Sequence, residues 1–237
     1  MSNGPYYSTV WTPAVSPPVS HRTSRTELIH IGIAFVVLSV DLAIILSSRS
    51  LIQSGTVTSL IAPLPLYFVL LAVGAALTGF IAHELAHKFV ARRLGYWAEF
   101  RMWPMGLLLS LITSVGGFIF AAPGATLVDG MDPRDVRRWG VTGLAGPATN
   151  LVFAAGFYAG AALTFSKGPE VFGALLFLAY INTLFATFNL LPFGILDGAK
   201  VYRWGVGRWA TAFAGSAAFL VLSYTAFYFY GTPFLAW

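Results

Sequence analysis

The sequence predicts a polytopic α-helical membrane protein with about five to six membrane-spanning segments and a re-entrant β-hairpin between the first two core spans. Three observations predict it. Hydrophobic residues make up 57% of the 237-residue chain and charged residues only 10%, where a soluble domain is about a quarter charged. The apolar residues fall in runs long enough to cross a hydrocarbon core of about 30 Å. The Lys and Arg residues gather between those runs, so the formal charge of +5 reads as membrane topology rather than as a nucleic-acid surface. The chain has no cysteine, which excludes disulfides, thiolate metal sites and a cysteine nucleophile.

Residues 1–27 are polar and Pro-rich, without helical or strand periodicity, and read as a mobile tail. Residues 28–237 then form one membrane-embedded domain. Leu28–Leu46 is the first span, interrupted by Asp41, which is expected at the interface or packed against protein. The long polar stretch ahead of it favours an anchor over a signal peptide. Leu60–Leu94 is the second span. Prolines 63 and 65 suit its entry, and Lys88, Arg92 and Arg93 suit the dipole and interface at its end. Met105–Ala122 is apolar but carries Gly116-Gly117. It either crosses or re-enters, and a re-entrant segment would place a Gly-Gly turn between β-rich arms, Arg101–Ser114 and Phe118–Val128. Val141–Thr164, Val171–Leu191 and Trp209–Tyr230 are the remaining spans.

Charge decides the open segment. If Met105–Ala122 re-enters and the N-terminal tail is cytoplasmic, twelve of the fourteen Lys and Arg residues face the cytoplasm, and only Arg49 and Lys167 face outward. If it crosses, the split is seven to seven. The positive-inside rule selects re-entry. The hairpin backbone must then find its hydrogen bonds within the protein.

His83-Glu84-Leu85-Ala86-His87 lies inside the second apolar run. Histidines at i and i+4 share one helix face, so both rings reach one ion. The glutamate between them is free to take a proton from an attacking water. A catalytic zinc needs a third protein ligand and an open position. His21 and His30 lie near the tail, and Asp197 is the stronger candidate. The re-entrant topology puts it on the side of His83 and His87, and the crossing topology does not. Asn150 and Asn189 are polar groups in or beside apolar runs. For Asn150 two readings stay open: an amide that holds an extended backbone, or helix–helix gluing. Gly143, Ala145, Gly146 and Ala148 would let their span approach a neighbour closely.

These residues resemble a known family. His83-Glu-Leu-Ala-His87, Gly146-Pro-Ala-Thr-Asn150 and Asn189-Leu-Leu-Pro192-Phe-Gly-Ile-Leu-Asp197-Gly198 are similar, in sequence and order, to the three signatures of the site-2 protease family. These are intramembrane zinc metalloproteases. The resemblance covers a protease core of about residues 60–208. It implies one zinc ion held by His83, His87 and Asp197, with Glu84 as general acid/base and Asn150 and Asn189 at the substrate. It implies transmembrane proteins as substrates; the charge count separately predicts a multi-pass place in the cell membrane, with the active site and N-terminus toward the cytoplasm. The resemblance also implies membrane-embedded β-structure between the first two core spans. Ile195 stands where many members have proline, which touches the turn rather than the ligand. No PDZ or CBS domain fits in this chain, so gating is expected to rest on the core, the hairpin or a regulatory partner. The other classes are a metal transporter, disfavoured because the polar groups gather at one depth, and an inactive binding relative, disfavoured by the intact His-Glu-x-x-His and Asp197.

Overall fold

The computed structural model describes residues 23–54, 66–119, 123–166 and 168–231. Residues 1–22 of the expected tail lie outside them, and Arg25 to Glu27 already belong to the first helix. Eight α-helices and two strands follow in order. They are α1 (Arg25–Ser54), α2 (Leu66–Ala76), α3 (Ala82–Arg93), β1 (Trp97–Met102), α4 (Pro104–Ser114), β2 (Gly124–Asp129), α5 (Val136–Thr164), α6 (Pro169–Asn189), α7 (Asp197–Trp204) and α8 (Val206–Ala226).

The protein is a helical membrane protein with a small antiparallel hairpin, as the sequence predicts. Among the described residues, four helical stretches are long and apolar enough to cross a bilayer: Arg25–Ser47, Leu66–Arg93, Pro169–Asn189 and Val206–Gly231. The 29-residue α5 is long enough as well, at about 1.5 Å per residue. Its glycines, threonines and Asn150 leave it less apolar. Four of the five spans of the re-entrant reading are thus present as helices long and apolar enough to cross, and α5 stands in the place of the fifth.

Leu66–Arg93 is one continuous helix whose middle, Leu77–Ile81, widens into a π turn. Such turns leave carbonyls that the regular ladder would have satisfied, and they recur at functional sites. The core is built from α1, α2, α5 and α6, where Leu38, Leu42, Phe68, Leu71, Leu176 and Phe177 are buried together. α5 lies between α3, α6 and α7, and α6 packs on α8. Thr183–Ser223 and Thr187–Ser216 hydroxyl bonds of 2.7 and 2.6 Å tie α6 to α8, as expected of helices that gain little from apolar contact in lipid. Asp41 is buried on the side of α1 turned to Ser110 and Ser114 of α4, so its packed alternative holds.

The hairpin differs from the expectation. The arms are not Arg101–Ser114 and Phe118–Val128. Trp97–Met102 pairs with Gly124–Asp129, in register from Trp97↔Asp129 to Met102↔Gly124, and the apolar middle folds into α4. Pro104 opens that helix, where its missing N–H costs nothing. The Leu-rich run that follows prefers helix, and a helix satisfies its own backbone in lipid whereas long strand arms would leave open edges. Gly117, at φ 84°, lies in the turn after α4. Trp103 N–H donates to Pro123 O at 2.9 Å, so the segment's two ends meet. α4 spans only about 16 Å, half a hydrocarbon core. Both facts belong to a segment that goes in and comes back.

β1 and β2 have different outer edges. In this register Phe100 and Met102 turn their N–H groups away from β2. α1 receives them: Phe100 N–H donates to Glu27 Oε1 at 3.0 Å and Met102 N–H to His30 Nδ1 at 3.4 Å. By the same alternation Thr126 turns its N–H away from β1, toward α3.

Candidate metal centre

His83 and His87 stand on α3 about 15 and 9 Å along the helix from Arg93. Both are buried. His83 Nδ1 lies 2.6 Å from Asn150 Oδ1. The Asn150 amide is turned by its other contacts: Nδ2 donates to Gly79 O at 2.9 Å, with Thr78 O at 3.3 Å and Asn182 Oδ1 at 3.1 Å. Only an NH₂ serves backbone carbonyls, so Oδ1 must accept, and His83 must carry its proton on Nδ1. His87 Nδ1 lies 2.7 Å from Thr142 O, an obligate acceptor, so its proton is on Nδ1 too. Both Nε2 lone pairs are thereby free for a ligand.

Asp197 completes the group. Its Oδ2 is 3.2 Å from His83 Nε2 and 2.9 Å from His87 Nε2, and the two Nε2 atoms are 3.0 Å apart. Tetrahedral donors at zinc distances of 2.0–2.1 Å stand about 3.3 Å apart, so these three fit one such ion after a small outward movement. Lys200 Nζ donates to Asp197 Oδ1 at 2.8 Å.

The polypeptide makes room for the group with two glycines. A Cβ on Gly146 would stand 2.5 Å from His83 Nε2 and would also strike His87 Nε2. A Cβ on Gly198 would collide with the carbonyls of Leu190 and Leu191. Its absence lets the first turn of α7, and hence Asp197, close onto the end of α6. Trp209 Nε1 pins the same junction by donating to Leu190 O at 2.8 Å.

Glu84 is half-buried beside the cluster and points at the hairpin. Thr126 donates to its Oε2 from both N–H and Oγ1, each at 2.8 Å. The structure therefore brings His83, His87, Asp197 and Glu84 together. Asn150, expected at the substrate, is wholly buried, with its amide engaged by His83, the π turn and Asn182. In this geometry the amide oxygen faces His83 and the amide nitrogen faces the π turn and α6. Asn189 sits at the end of α6, half-buried, donating to Phe185 O at 3.0 Å.

Three partners were not singled out from sequence. Asn182 links Asn150 to Thr78 Oγ1 at 3.0 Å, and its signal was a second amide two turns before Asn189 in an apolar helix. Thr126 and the Thr142 carbonyl gave no signal, because their partners lie far away in the chain. Lys88, expected near the interface, is buried and paired with Glu27 Oε2 at 2.5 Å.

A Methanocaldococcus jannaschii protein named "Putative zinc metalloprotease MJ0611" is 42% identical over 144 residues, covering 60% of this chain and 72% of that protein. The chain belongs to this zinc metalloprotease family. Membership of the site-2 protease family, expected from the three motifs, is borne out. The Mycobacterium tuberculosis protein named "Putative zinc metalloprotease Rip3" is 36% identical over 147 residues, 60% of this chain but only 33% of that protein. No family model matches the chain, and no solved structure does.

Proposed function

We propose that this site-2 protease relative is an intramembrane zinc endopeptidase that hydrolyses peptide bonds in or near the transmembrane helices of other proteins. The observation that carries the reading is the convergence of His83 Nε2, His87 Nε2 and Asp197 Oδ2 beside Glu84, with the two histidines and the glutamate on a helix of membrane-spanning length. The donor set has the two nitrogens and one oxygen of a catalytic zinc site with a position left open. When bound, a single zinc ion supplies Lewis acidity to the attacking water and to the scissile carbonyl. Asn150 and the Thr142 carbonyl hold the imidazoles in the ligating tautomer. Glu84 takes the proton of the attacking water and delivers it to the leaving amine nitrogen.

A helical peptide bond is shielded by its own turn, so the substrate must unwind locally. The outer edge of β2 suits an unwound segment, because its Thr126 N–H points at the site and a strand added there would run past Glu84. Such a strand takes over the Thr126 N–H and releases the Glu84 carboxylate for catalysis. Asn189 is placed to contact that segment from the end of α6. The site and the N-terminus face the cytoplasm of a cell membrane, the orientation that the basic residues favour.

The test is mass spectrometry of single-span substrates incubated with wild-type and Glu84→Gln protein, with metal content measured on both. Defined fragments from the wild type alone, at equal metal content, are expected. A Glu84→Gln protein that cuts at the wild-type rate overturns the mechanism.

A further inference from the structure

Beyond the metal centre, a cavity of about 250 Å³ opens where the start of α5 meets α7, lined by Pro133, Val136, Trp139, Lys200 and Arg203. It is smaller than the roughly 300–1,000 Å³ of sites for drug-sized ligands, and a helix of about 10–12 Å diameter does not enter it. Two cations lie over an apolar wall. Arg203 is exposed and, among the described residues, has no carboxylate partner. Lys200 has one bond, to Asp197 Oδ1 at 2.8 Å, and remains partly exposed.

The nearby acids are already committed to local work. Asp132 Oδ1 accepts from Arg134 N–H at 2.8 Å, and Asp135 caps α5 through Arg138 N–H at 3.0 Å. The Trp139 indole is fixed by its bond to Asp132 O at 3.1 Å. The cavity wall itself holds two cations and no acid, and with Lys200 offset by Asp197 it is Arg203 whose charge stays without a paired carboxylate among the described residues.

We propose that this cavity binds a phosphate group, in the first place that of an anionic phospholipid headgroup. The guanidinium of Arg203 presents the paired donors that phosphate oxygens take. Lys200 adds a point charge, and Val136, Pro133 and Trp139 suit the glycerol portion of a lipid. The site opens at the end of a helix of spanning length and beside a tryptophan, both marks of the membrane–water boundary. Basic pockets at such boundaries hold anionic headgroups. Because Lys200 also reaches Asp197, an occupant would lie one side chain away from the metal ligand.

The chain has three lysines, Lys88, Lys167 and Lys200, so acetic anhydride labelling read by mass spectrometry resolves each of them. The full chain is labelled in phosphatidylcholine vesicles, with and without phosphatidylglycerol, and in phosphatidylcholine with added inorganic phosphate. Phosphatidylglycerol is expected to slow Lys200 labelling roughly fivefold relative to Lys167. Arg203→Gln should abolish that protection and Arg208→Gln should leave it, which separates a pocket from a general surface field. Protection by inorganic phosphate alone would support the site and assign it to the free ion. Equal Lys200 labelling under all three conditions overturns the proposal, and so does protection that persists in Arg203→Gln.

Discussion

Gly146 contributes no side chain, yet the metal centre depends on it as much as on its ligands. The space that a methyl group would fill is the space between the two imidazoles. Gly146→Ala is expected to keep the fold and lose at least about 100-fold in metal affinity, the upper end of what displaced ligand support costs. Metal analysis after dialysis against a graded chelator, with circular dichroism on the same sample, checks both halves. Asn150 acts one bond further out. Asn150→Ala removes the acceptor on His83 and leaves Gly79 O without its donor, so metal affinity should fall about 10–100-fold. Asn150→Asp keeps the acceptor but loses the donor, and its affinity should lie between that of Asn150→Ala and the wild type. Equal metal affinity in all three proteins would sink the positioning role. The ligands themselves were legible in the sequence because i,i+4 spacing is a local fact, and Asp197 followed from topology. The role of Asn150 was not legible. An amide in an apolar helix announces a partner without naming it, and here the partner is a histidine 67 residues away.

At the scale of elements, the hairpin and its neighbours show where pattern reading stopped. Charge counting located a re-entrant segment, but β-branched residues and a Gly-Gly pair pointed to strands where Pro104 and a leucine run build a helix. The strands formed instead in Trp97–Met102 and Gly124–Asp129, where α1 and α3 supply partners to both outer edges. One buried ion pair lies at the centre of that arrangement. Glu27 accepts from Lys88 and from Phe100 N–H, joining α1, α3 and β1 at a point with no exposure at the carboxylate. Glu27→Gln leaves Lys88 buried without its counter-charge, which costs about 3–5 kcal/mol in comparable pairs. Its thermal midpoint in detergent should drop sharply. The Glu27→Gln/Lys88→Met double variant, which leaves no lone charge, should regain most of the loss. A double variant no more stable than Glu27→Gln alone would show that the pair does not hold the three elements together.

At the scale of the whole molecule, the metal cluster and the chain's topology depend on each other. His83, His87 and Asp197 meet only if the segment between β1 and β2 returns to its starting side, and Trp103 bonded to Pro123 places it there. Re-entry is also the topology that the positive-inside rule favours, because it assigns twelve of the fourteen basic residues to one side. The helical, membrane-spanning character of the chain and the order of its apolar helices were legible because hydropathy is a property of composition. The interior of the bundle was not, because Asn182, Thr126 and Thr142 matter only through neighbours that the fold supplies. The absence of cysteine makes the orientation directly measurable, since each introduced thiol is the only one in the chain. Arg134→Cys, in the loop before α5, and Glu170→Cys, at the start of α6, are both exposed and lie at opposite ends of α5. In intact cells a membrane-impermeant maleimide is expected to label Glu170→Cys and spare Arg134→Cys, and permeabilisation should make the two equal. The reverse pattern would put the metal centre on the outer face and overturn the cytoplasmic orientation. Labelling of both in intact cells would mean that α5 does not cross, and with it would fall the five-span topology that brings Asp197 to the histidines.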